Sequence, residues 1–84
     1  MKTGIIKDFQ GSWGSGVATL VLKVGRKTET IHCENAPTVR ALASMFPGVI
    51  VEGHCVNVDA LRGQRVQFAL DDMGLMLGAL APAE

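Results

Sequence analysis

A mainly β chain, folded as a small five-stranded Greek-key barrel with one short helix between the third and fourth strands, is what this sequence predicts. Three observations carry that expectation. Val17–Val24 alternates strictly between an apolar set and a mixed set, the period-two signature of a half-buried strand. Glycine-rich or charged turns bracket several runs of this kind. Helical spacing of apolar residues occurs only once, after Asn35-Ala36-Pro37-Thr38.

With 84 residues, 48% of them hydrophobic and 19% charged, the chain is long enough for one domain over 1–84 with a single core, and too apolar for disorder. Gly4-Ile5-Ile6-Lys7-Asp8-Phe9 reads as the first strand, β-branched at its centre and closely followed by glycines. Gln10–Gly16 holds three glycines and two serines around the only tryptophan, Trp13, and reads as a turning loop. In the second strand Ala18, Leu20, Leu22 and Val24 form the inward face. Gly25-Arg26-Lys27 is a hairpin loop, and Thr28–Cys33 returns with Ile31 and Cys33 inward and Thr30 and His32 outward.

Asn35 is placed to accept from free amides of a helix's first turn, and Pro37 is tolerated there because those amides have no helical partner. Val39, Leu42, Ala43 and Phe46 then form one apolar stripe, ended by Pro47-Gly48. Two to three turns are too few to be stable alone, so this helix must dock on the sheet. Val49–Val51 and His54–Val58 read as a short strand or a covering loop, and Leu61-Arg62-Gly63-Gln64 as a turn. Arg65–Asp71 alternates with Val66, Phe68 and Leu70 inward. After Asp71-Asp72-Met73-Gly74, Leu75–Leu80 is apolar on both faces, Met76 and Leu80 opposing Leu75, Leu77 and Ala79. A strand apolar on both sides asks for a cover, and a second copy of the chain meeting the Met76 and Leu80 face is one. Ala81–Glu84 reads as a frayed tail. Three strands, a helix, then further strands is the element order of an OB-fold.

Net charge is zero, but it is unevenly spread. Residues 1–28 carry Lys2, Lys7, Lys23, Arg26 and Lys27 against Asp8 alone, a net of +4, and residues 29–84 carry a net of −4. The chain is therefore expected to be a dipole with its basic end on the first hairpin. No run approaches a membrane span, no signal-peptide pattern follows Lys2, and two cysteines without an export signal suggest reduced thiols in the cytoplasm.

At the level of particular residues the chain resembles the bacterial cold-shock domains. Gly4, Ile6, Lys7 and Phe9, then Gly14 and Gly16, fall in register with that family's first strand and glycine-rich second strand. Leu61–Phe68 looks like its Gly-Gln-x-Val-x-Phe strand, and His32 lies where the family carries a base-stacking Val-Phe-Val-His. The resemblance implies an OB-fold that binds single-stranded nucleic acid. It departs where the family stacks bases: Asp8, Ser15, Val17 and Ile31 stand in place of aromatics, and Asn35–Asp59 has no counterpart.

Other chemistry is weaker. His32-Cys33 and His54-Cys55 are the right residue types for zinc, but neighbours on a strand point to opposite faces, so no metal site is expected. Gly11–Gly16 lacks the Lys-Ser/Thr and the following helix of a phosphate loop. No nucleophile has a base and an orienting third group, and no cofactor motif occurs. The sequence thus points to a non-enzymatic binding module without cofactor. Its expected site is Lys7, Lys23, Arg26 and Lys27 for phosphates, with Phe9, Trp13 and His32 as stacking faces for single-stranded nucleic acid. The alternative is a protein-interaction or homo-oligomeric module.

Overall fold

The computed structural model describes residues 2–11, 16–51 and 55–83. Five strands form one antiparallel sheet: β1 (Lys2–Gly11), β2 (Val17–Val24), β3 (Lys27–Glu34), β6 (Arg65–Leu70) and β7 (Leu77–Pro82), in the spatial order β3-β2-β1-β6-β7. Helix α1 (Asn35–Met45) follows β3. A two-stranded hairpin, β4 (Ile50–Val51) with β5 (Cys55–Val56), and the one-turn helix α2 (Val58–Leu61) come before β6.

The sheet does not close into a full barrel. Its edge strands β3 and β7 lie against each other, and the one isolated parallel bridge among the described residues joins His32 of β3 to Met76, the residue just before β7. Strand β1 is shared by both halves of the sheet, its first residues pairing with β6 and its remainder with β2. Ile5 stands opposite both Lys23 and Arg65.

Inward positions of β2, β3 and β6 follow the period-two reading. Ala18, Leu20, Leu22, Ile31, Cys33, Val66 and Phe68 are buried in one cluster. The helix docks on it through Leu42, with Val39, Met45 and Phe46 partly buried beside it. Thr38 is buried as well, so the contact stripe is rotated from the apolar one read in the sequence. Helix α1 starts at Asn35 itself. Glu34 occupies the cap position and makes no side-chain capping bond, which corrects the expectation that Asn35 caps the helix. The Asn35 amide instead donates to the Gly16 carbonyl at 2.9 Å, tying the helix start to the start of β2.

Two irregularities change which side chains face the core. In β1 the register steps from Ile6 opposite Leu22 to Asp8 opposite Val21, leaving Lys7 as the extra residue of a bulge. Ile6 and Phe9, three apart, both turn inward as a result, and Phe9 is only 3% exposed. The second shift lies where Ala69 pairs with Ala79 and Leu70 with Leu77, so Gly78 is the extra residue. Leu70, expected inward, is exposed, while Leu77 and Leu80 both pack against the core. Ala81 and Pro82, read as tail, belong to β7 and pair with Gln67 and Val66.

The stretch read as strand or loop before β6 carries more structure than its sequence pattern suggested. The short helix α2 sets Leu61, fully buried, into the core beside β1. The turn after it is clasped to the same strand: the Gly63 amide donates to the Ile6 carbonyl, and the Ile6 amide to the Gln64 carbonyl, each at 2.9 Å.

Cys33 is fully buried, and its thiol donates to the Ala18 carbonyl at 3.5 Å. Burial pushes the thiol above its ordinary value of 9.0, and a hydrogen bond with Thr38 opposes this less strongly. A folded-state pKa above the unfolded one means stability that is fully present below about pH 9 and lost as pH rises beyond it. In a Cys55→Ser background, urea unfolding at about pH 10 should therefore show less stability than at neutral pH, and Cys33→Ala should remove that part of the difference. Alkylation of Cys33 should proceed only through unfolding.

Candidate nucleic-acid interface

Residues paired across antiparallel strands share a face, with Cβ atoms ~5 Å apart. The face of β1, β2 and β3 that points away from the core is therefore built in rows. One row runs Gln10, Thr19, His32; the next Asp8, Val21, Thr30; the next Ile5, Lys23, Thr28, extended through Ile5 to Arg65 of β6. It is a hydroxyl-rich, β-branched surface. His32 is exposed at its β3 edge, and Lys23 and Arg65 stand exposed on either side of Ile5. Two strand spacings put their Cα atoms ~10 Å apart.

Lys7 is exposed at the β1 bulge. Arg26 sits in the two-residue turn between β2 and β3, which Gly25 makes possible by taking φ of +63°, and Val24 pairs with Lys27 to close it. Val24 belongs to the inward set, so Lys27 lies in an inner-face row and extends from the end of the sheet. It does not share the face of Lys23. Among the described residues, both ion pairs involve Arg62, which meets Asp59 at 2.7 Å and Asp8 at 3.8 Å. Lys7, Lys23, Arg26, Lys27 and Arg65 enter neither.

Asp8, standing where the cold-shock pattern has an aromatic, is held by its neighbours. Its carboxylate accepts from the Phe9 amide at 2.9 Å and from Gln10 Nε2 at 3.4 Å as well as facing Arg62. Solvent-exposed pairs of this kind contribute about 0–1 kcal/mol, so they orient Arg62 and Asp8 more than they stabilise the fold.

Of the residues expected to form the site, the structure gathers Lys7, Lys23 and His32 on or beside one face. Arg26 and Lys27 are at the hairpin end. Phe9 is in the core, because the Lys7 bulge reverses its phase, and its ring is not a stacking face. Trp13 and His54 lie outside the described residues. His32 and Cys33 point to opposite sides of β3, one exposed and one buried. Arg65 is the functional candidate that sequence reasoning passed over. Its outward position in the strand was legible, but its pairing with Ile5, and so its nearness to Lys23, was not.

The chain matches no protein-family model, no curated protein and no solved structure. No helix among the described residues is long and apolar enough to cross a membrane.

Proposed function

We propose that this chain is a non-enzymatic binding module, an OB-like barrel of cold-shock type, that takes single-stranded nucleic acid across the outer face of β1, β2 and β3. The observation that carries this reading is the row in which Lys23 and Arg65 flank Ile5, with Lys7 beside it at the bulge. None of these cations is neutralised by a partner among the described residues, so each is available to a phosphate. The strand order and the parallel contact between His32 and Met76 support the barrel part of the proposal, because an OB-fold brings its third and last strands together with its helix nearby.

The same geometry sets the character of the binding. Stacking contributes ~1–3 kcal/mol per base in modules of this type. Phe9 is buried and Asp8 replaces an aromatic, which leaves His32 as the ring on the described face. Affinity then rests mainly on phosphate contacts, so it is sequence-tolerant and falls steeply with salt. Trp13, the only tryptophan, reports on the β1–β2 connection. Titration with short single-stranded oligonucleotides should give saturable fluorescence quenching at low salt that weakens at physiological salt. No response at either salt, with oligonucleotide binding also absent by anisotropy, would overturn the proposal.

A further inference from the structure

One acidic side chain stands within the cationic face. Asp8 shares a row with Val21 and Thr30, between the row of Ile5, Lys23 and Thr28 and the row of Gln10, Thr19 and His32. Rows on one face repeat every two residues, ~7 Å along the strand. A nucleotide whose phosphate meets Lys23 and whose chain runs towards His32 therefore carries its base over Asp8. Towards a phosphate the carboxylate in this place is repulsive. Towards the edge of a base it is an acceptor.

That carboxylate is held in one orientation. Its Oδ1 accepts the Phe9 amide at 2.9 Å, and its Oδ2 takes only a long contact, 3.4 Å, from Gln10 Nε2. Arg62 stays 3.8 Å from Oδ1, beyond hydrogen-bond distance. Each oxygen of a carboxylate can accept two bonds, so each has a place open, and the side chain is 35% exposed and accessible to a ligand.

Two adjacent acceptors match one base. Guanine presents two neighbouring donors, N1–H and the 2-amino group, on its Watson–Crick edge. Adenine and cytosine set one amino group beside an acceptor nitrogen, and thymine or uracil sets one N–H between two carbonyls. We infer that Asp8 reads guanine in the bound single strand, both carboxylate oxygens accepting from that edge. The inference rests on the proposed β1–β3 face and adds one read position to binding otherwise carried by phosphates. Rejection contributes as much as attraction, because the carbonyls of thymine or uracil face the carboxylate like to like.

Fluorescence anisotropy with the full chain compares a thymidine octamer with the same octamer carrying one central guanine or one central inosine. The guanine octamer should bind about fivefold more tightly or better than the thymidine one. Inosine stacks as guanine does but lacks the 2-amino group, so it should lose most of that gain. Asp8→Asn keeps an oxygen for the Phe9 amide and turns an amide donor towards the base. It should lose the guanine preference and bind the thymidine octamer more tightly, since a negative charge has left the phosphate path. Equal affinity of the wild type for the guanine and thymidine octamers would overturn the inference. So would inosine equalling guanine, which would put the preference in stacking on His32, or a guanine preference unchanged in Asp8→Asn. Each of those results, with salt-dependent binding intact, leaves the β1–β3 reading standing, whereas binding of none of the octamers overturns both.

Discussion

Replacing Phe68 with alanine is expected to lower the unfolding free energy by about 3–5 kcal/mol, whereas Leu70→Ala, two positions along the same strand, should cost less than about 1 kcal/mol. Strict alternation treats the two residues alike. The structure does not: Phe68 is 0% exposed and Leu70 37%. Phe68 fills the centre of the sheet against β1, where Gly4 leaves room for it. A Cβ on Gly4 would come within 3.2 Å of the Phe68 ring, so the glycine and the aromatic are complementary. Leu70 comes after the register shift opposite Gly78, at the strand end. Domains of this size have only ~5–15 kcal/mol in total. Phe68→Ala should thus remove about a fifth or more of the stability, and urea unfolding of the two variants compares them directly. Equal losses would mean that the β6–β7 register is not the one described.

Removing Lys7 and Lys23 together should weaken oligonucleotide binding and lower the salt dependence by about 1.4 in the log–log slope, the share of two phosphate contacts on a single strand at ~0.7 each. Both side chains are exposed, so unfolding should stay within about 0.5 kcal/mol of the parent, and lost binding cannot be read as lost folding. Arg65→Ala should act in the same direction, with a slope change of about 0.7. Lys27→Ala is the informative control. It has the same charge and is four residues from Lys23 in sequence, but it lies in a row of the inner face. A ligand drawn to net charge alone would feel Lys27 as much as Lys23. One lying across the outer face of β1–β3 would not, and equal effects would discard that face as the site.

The comparison of Lys23 with Lys27 shows how the candidate site relates to its sequence. Both lysines were visible in the basic first third of the chain. Their separation onto two faces follows from a two-residue turn at Gly25-Arg26 with Val24 paired to Lys27, whereas the sequence pattern reads as a three-residue loop, Gly25-Arg26-Lys27. Arg65 joined the site only through the pairing of β1 with β6, across about sixty residues of chain. Phe9 left it through one extra residue in β1. A spacing of three between Ile6 and Phe9, where alternation wants two or four, was the available signal that a bulge must intervene if both are buried.

By itself, the sequence determined that this is a mainly β chain with strands at Val17–Val24, around Thr28–Cys33 and from Arg65, and a docked helix from Asn35. It also determined which residues of β2 and β3 enter the core. These follow from local periodicity, since side chains on a strand alternate and those on a helix recur every three to four residues, whatever they pack against. Tertiary structure decided the bulges at Lys7 and Gly78, the β4–β5 hairpin, the α2 turn that buries Leu61, and the bridge from His32 of β3 to Met76 just before β7. Each of these depends on which strand lies alongside and on filling one shared core without a void. That is a property of contacts between distant segments, and no window of the chain contains it.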